Sequence, residues 1–156
     1  MKKYLVVIFL LLAFILIQTK VSFANNNRLA AEFGLKDLKG NTVELSSFKN
    51  KQSLLLVFWT TWCPFCQREL NELNSRLEAF SKEGVELLAI NLGEQVYKVD
   101  NFVKANNINL KVLVSPDGAI ADDYKVVGVP TYALVNKNGE IVFQDNSFPA
   151  DYKKLL

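Results

Sequence analysis

Phe58-Trp59-Thr60-Thr61-Trp62-Cys63-Pro64-Phe65-Cys66 closes the apolar run that begins at Leu54 and carries the only two cysteines of the 156-residue chain. An apolar and aromatic run without alternation is the pattern of a strand buried on both faces. Beyond it the period changes. Cys66, Leu70, Leu73, Leu77 and Phe80 recur at helical spacing and fall on one stripe of a helix from Cys63 to Lys82. Cys66 lies inside the stripe and Cys63 at its margin, so one sulfur is expected buried and the other near solvent. Pro64 suits the first helical turn, where a missing N–H costs nothing, and Gly84 is the stop.

Upstream, Phe33 to Leu38 and Thr42 to Leu45 flank Lys39-Gly40-Asn41 and read as a β-hairpin, with a brief helical turn over Ser46 to Lys49. Downstream, Val85 to Leu92 is a second buried strand. Val96 to Asn106 carries Val99, Phe102 and Val103 on one helical face, and Lys111 to Val114 is a short strand. Strand, helix, strand, helix, strand implies a parallel α/β core. Gly118 to Tyr124 reads as a short helix. Tyr132 to Val135 and Glu140 to Gln144, joined by Lys137-Asn138-Gly139, form an antiparallel hairpin at the sheet edge. Pro149 to Leu156 allows at most two turns of helix. No repeat or low-complexity tract supports a second domain, so residues 33–156 are expected to form one domain after a mobile linker over 25–32.

Residues 1–24 have a different character. Lys2 and Lys3 precede an apolar run from Tyr4 to Ile17, and Ser22-Phe23-Ala24 is a small-x-small site. This is the order of a signal peptide cleaved after Ala24, with an uncleaved N-terminal membrane anchor as the alternative. Either arrangement puts the remainder outside the cytoplasm. Without Lys2, Lys3 and Lys20, the 18 basic side chains fall to 15 against 16 acidic ones. The basic balance thus belongs to the targeting segment, and no basic stripe is left to attract nucleic acid. Histidine is absent, which excludes Ser-His and Cys-His nucleophile pairs and the common zinc motifs, and two cysteines cannot complete a tetrahedral zinc site. No metal is expected.

A CxxC pair can be a structural staple, half of a metal site or a redox dithiol. So short a loop removes little entropy from the unfolded chain, which makes it a poor staple. At a helix N-terminus the free N–H groups and the macrodipole favour a thiolate. Cys63 is then the nucleophile and Cys66 the resolving thiol.

At these residues the chain resembles the thioredoxin superfamily, and more closely its exported TlpA/ResA-like branch. The elements are the Leu35 to Gly40 hairpin, Phe58 to Cys66, Gly84-Val85-Glu86 leading into Ile90 to Glu94, and Gly128-Val129-Pro130-Thr131. The resemblance implies an α/β thioredoxin-like fold: a central mixed sheet flanked by helices, with an N-terminal β-hairpin extension and a βα insertion. It implies a longer C-terminal helix than residues 149–156 can form. It places Pro130 in cis beside the sulfurs, with the Val129 backbone free to pair with an extended substrate segment. Trp62, Pro64 and Phe65 complete the implied substrate surface, while Trp59 is expected in the core.

Two positions depart from the pattern. The buried Asp of cytoplasmic thioredoxins is replaced by Val57. Glu69, one turn after Cys66, is the carboxylate that could shuttle thiol protons in its place, against the alternative of a solvated surface charge. Glu86 and Glu94 read as surface or strand-end residues. Pro64-Phe65 supplies no positive charge to the thiolate, which argues for a less oxidising pair than one with histidine between its cysteines.

The expected function is an extracytoplasmic thiol-disulfide oxidoreductase that reduces protein disulfides, with apocytochrome c as the substrate suggested by analogy. It would need no cofactor beyond the Cys63/Cys66 disulfide. Its partners would be protein thiols and disulfides and a membrane-embedded thiol electron donor, and the protein would be monomeric. A thiol peroxidase and a non-enzymatic Cu(I) chaperone are the alternatives.

Overall fold

In a computed structural model, which describes residues 28–156, eight strands form one mixed sheet. They are β1 (Arg28–Leu29), β2 (Gly34–Asp37), β3 (Thr42–Glu44), β4 (Ser53–Trp59), β5 (Val85–Leu92), β6 (Lys111–Ser115), β7 (Thr131–Val135) and β8 (Glu140–Asp145). The helices are α1 (Pro64–Ser75), α2 (Leu77–Lys82), α3 (Val96–Ala105) and α4 (Ile120–Asp123). The expected signal peptide or anchor over 1–24 and residues 25–27 of the linker lie outside the described residues.

The strand order is β1-β8-β7-β4-β5-β6-β2-β3. β4, β5 and β6 run parallel, and β7 joins β4 antiparallel. All seven residues of β4 are buried because the strand is hydrogen-bonded on both edges and covered on both faces. Leu55, Val57 and Trp59 point into one cluster with Cys66, Leu70, Leu73, Phe80, Val99 and Tyr132. Leu54, Leu56 and Phe58 point into the other with Leu88, Ile90, Ile120 and Tyr124. Burying each such side chain stabilises the fold by about 1.5–3 kcal/mol. The unbroken apolar sequence of β4 therefore reflects two cores sharing one strand.

The hairpin β2-β3 extends the sheet by pairing β2 with β6, and α3 with β6 forms the βα insertion between β5 and α4. Two details differ from expectation. Arg28 and Leu29, within the expected linker, pair with Ile141 and Glu140, and Ala30 N–H donates to Gly139 O at 2.9 Å. β8 is therefore flanked by β1 instead of forming the edge. The helix after Cys63 is broken at Arg76, whose φ of −106° and ψ of 5° leave the helical region. There Arg76 N–H bonds to Leu73 O, the i−3 carbonyl, and Leu77 starts α2. Residues 149–156 form a single 3-10 turn, Tyr152–Lys154.

The break at Arg76 has a side-chain cause. Its guanidinium lies 4.8 Å from the Phe148 ring centroid, 5.1 Å from Phe80 and 6.0 Å from Tyr152. Turning the backbone at this residue places the charge over three rings that join α2 to the C-terminal segment, where Phe80, Phe148 and Tyr152 also pack on one another. In urea unfolding, Arg76→Ala is expected to lose about 1–2 kcal/mol, and Arg76→Lys a smaller part of that, because ammonium stacks less well than planar guanidinium.

Candidate active site

The strand β4 ends at Trp59, and the next four residues carry the chain to the N-terminus of α1. Cys63 is the N-cap residue, with φ of −90° and ψ of 109°, and its sulfur accepts from Cys66 N–H at 3.1 Å. A sulfur thus occupies the place of a capping oxygen. Pro64 takes the first helical position. Cys63 and Cys66 form a disulfide, with Cα atoms 5.2 Å apart. Cys66 is fully buried and Cys63 is 4% exposed, a smaller difference than the helical stripe predicts. The strands and helices pack around both residues, and only the Cys63 side reaches a cleft.

That cleft has a volume of about 580 Å³ and is lined by Trp62, Cys63, Phe65, Gly93, Val127 and Val129 among others. Trp62 and Phe65 are exposed on its rim and Val127 is 97% exposed, so its walls are largely apolar. Gly93 and Gly118, with φ of 69° and 70°, provide part of the lining without side chains. Across from the pair, the Val129-Pro130 peptide bond is cis, and Cys63 Sγ lies 3.6 Å from Val129 O. Asn146 Nδ2 supports this loop through Pro130 O at 2.7 Å and Thr131 Oγ1 at 2.9 Å. Trp62, Pro64, Phe65, Val129 and Pro130 therefore gather around Cys63.

Val57 is fully buried in the cluster that holds Cys66. Glu69 is half-buried, and its carboxylate accepts from the Tyr132 hydroxyl at 2.6 Å. Burial, and next the hydrogen bond to Glu69, push the Tyr132 hydroxyl well above the ordinary phenol range. Arg68 Nε is 3.9 Å from the same carboxylate. Glu69 is neither a freely solvated charge nor hydrogen-bonded to a sulfur.

Glu94 is at a strand end, as read from the sequence, but it is buried and not on the surface. It lies just beyond β5, and its side chain is only 5% exposed. Its oxygens accept from Thr61 N–H and Thr61 Oγ1, both at 2.6 Å, and from Asn91 Nδ2 at 2.8 Å, while Lys98 Nζ pairs with it at 2.6 Å. Gln67 Nε2 donates to Thr61 O at 2.8 Å. Glu94, Thr61 and Gln67 form a hydrogen-bonded cluster beside the cysteines that periodicity does not reveal. The available signal was Asn91, a polar residue inside the apolar strand β5, buried completely and bonded to Glu94. Glu86 does sit near a strand end, paired with Lys111. Among the described residues, no three His, Cys, Asp or Glu side chains converge as a metal site would.

The AhpC/TSA family model matches residues 27–144. The chain belongs to this family. It is 37% identical over 113 residues to thiol-disulfide oxidoreductase ResA of Bacillus subtilis (strain 168), covering 72% of this chain and 63% of that relative. Sporulation thiol-disulfide oxidoreductase A of the same organism is 35% identical over 115 residues, with coverage of 71% and 68%. The crystal structure of StoA from Bacillus subtilis superposes with a TM-score of 0.68 at 29% identity, over 81% of this chain and 97% of that one. The chain thus spans just under two thirds of the ResA relative. The thioredoxin-like fold and the ResA-like resemblance are both borne out.

Burial pushes the Glu94 carboxyl up, but the hydrogen bonds from Asn91, Lys98 and Thr61 outweigh it and hold the group at about 2, below its ordinary 4.5. A depressed carboxyl stabilises the fold above its unfolded value and loses that contribution as pH falls through the folded one. Between pH 4.5 and 2, wild type is expected to lose about 3 kcal/mol more unfolding free energy than Glu94→Gln. Equilibrium denaturation at several pH values measures the difference.

Proposed function

We propose that this protein is an extracytoplasmic thiol-disulfide oxidoreductase that reduces disulfides in protein substrates. The observation that carries the proposal is the Cys63–Cys66 disulfide at the N-terminus of α1, facing an apolar cleft and Val129 O. The relatives named as thiol-disulfide oxidoreductases support it. The order of charged, apolar and small residues over 1–24 supports export. Among the described residues no helix is long and apolar enough to cross a membrane.

In the reduced protein, Cys66 N–H and the α1 N-terminus favour the Cys63 thiolate. This thiolate attacks one sulfur of a substrate disulfide. The substrate S–S bond breaks, a Cys63–substrate bond forms, and the departing thiolate takes up a proton. Cys66 then gives up its proton and attacks Cys63 Sγ, which forms the enzyme disulfide and expels the second substrate thiolate. Two electrons and two protons pass to the substrate. A dithiol donor embedded in the membrane returns them, and no other cofactor enters.

The cleft selects the substrate by shape and apolar contact. Trp62, Pro64, Phe65 and Pro130 flank the attacked disulfide, and the Val129 backbone pairs with the extended chain beside it. Glu69, one turn beyond Cys66 and already hydrogen-bonded to Tyr132, takes and returns the Cys66 proton. Apocytochrome c, whose cysteines must be reduced before haem attachment, is the substrate we assign by analogy with the family. The protein acts as a monomer, and nucleic acid is not among its partners. A peroxidase would need its reactive cysteine in a different loop context, and the helix-capping sulfur favours disulfide exchange over that reading.

Cys66→Ser leaves Cys63 able to attack and unable to be released, so mixed disulfides with partner proteins are expected to accumulate. Non-reducing electrophoresis of the exported fraction, followed by mass spectrometry, identifies them. Equal trapping by Cys63→Ser would refute the assignment of the nucleophile.

A further inference from the structure

We infer that Glu94 is a positioning residue for disulfide exchange, acting on Cys63 through Thr61. The inference rests on the oxidoreductase reading above, but it concerns a residue to which that mechanism gives no task.

Thr61 lies two residues before Cys63 in the turn between β4 and α1, and the turn closes with Cys63 N–H on Thr60 O at 3.4 Å. All three polar groups of Thr61 are held. Its N–H and hydroxyl both donate to the Glu94 carboxylate, and its carbonyl accepts from Gln67. Gln67 is on α1 and Glu94 follows β5, so the turn is fixed from the helix it leads into and from the neighbouring strand. Asn91 and Lys98 hold Glu94 in turn. A buried carboxylate with four charged or polar contacts is a rigid anchor, since each partner lost leaves an expensive unpaired group.

This anchor contributes to stability, and it lies beyond Trp59, where the strand β4 ends. Its geometric effect falls on the next residues. Trp62 forms the cleft rim, and Cys63 Sγ must sit at once against Cys66 N–H and beside Val129 O. Exchange requires three sulfurs nearly in line, so a small displacement of the attacking sulfur costs rate steeply. Loosening the turn also draws Cys63 Sγ away from the Cys66 N–H that favours its thiolate.

The test uses Thr61→Val, Glu94→Gln and the double variant, with thermal unfolding followed in each. Reduction of insulin disulfides and of a disulfide-bonded Cys-x-x-Cys-His peptide reports exchange, and the pH dependence of Cys63 alkylation by iodoacetamide reports the thiol. Thr61→Val leaves both the Glu94 and Lys98 charges in place, and so separates positioning from electrostatics. We expect exchange to fall roughly threefold in Thr61→Val and roughly tenfold in Glu94→Gln, with the double variant no slower than Glu94→Gln. The alkylation midpoint should rise in Thr61→Val. Variants that melt earlier but keep wild-type exchange and alkylation profiles would reduce Glu94 to a structural brace and overturn the inference. An unchanged midpoint in Thr61→Val, with a shift in Glu94→Gln alone, would overturn it in favour of a direct charge effect. If wild type leaves both insulin and the Cys-x-x-Cys-His peptide oxidised, the oxidoreductase reading fails, and the alkylation profiles still decide the positioning role.

Discussion

Full burial of β4 on both faces is the constraint from which the rest follows. A strand that feeds two cores must be central, so β5 and β7 take its two edges and the other strands are added outward. Its side chains alternate between a cluster under α1 and α3 and one under α4. The direction of β4 then decides where the chemistry lies. The chain leaves the sheet at Trp59, and a short turn delivers Cys63 to the start of a helix whose first free N–H groups face its sulfur.

Much of this could be read from the residues. The apolar run of β4 and the period of α1 gave their places because burial writes directly into composition. The hairpins were visible through Gly40 and Gly139, whose φ values of 87° and 82° ordinary residues rarely adopt. The break at Arg76 was not visible. Its energetic origin is a stack on Phe148 and Tyr152, more than seventy residues away, and helical periodicity contains no term for such a contact. The pairing of Arg28 and Leu29 with β8 was equally hidden, since two residues carry no period.

The site divides the same way. The gathering of Trp62, Phe65, Val129 and Pro130 around Cys63 agrees with the resemblance that suggested it. Glu94 did not look like a site residue, because a lone acidic residue after a strand is most often solvated. Its burial depends on donors from Thr61, Asn91 and Lys98, which come together only when the β4–α1 turn, β5 and α3 meet in space. Glu69 illustrates the converse. Its place one turn beyond Cys66 was evident, but its partner is Tyr132 on β7, on the sheet face that α1 covers.

The rim of the cleft has a further consequence. Trp62, Phe65 and Val127 are all exposed, and none carries a charge. Apolar attraction acts only over contact distances, so these three side chains add nothing to guidance from afar. Discrimination then begins only at contact, when water leaves the apolar surfaces. Such side chains act on how long a bound segment stays, not on how fast it arrives.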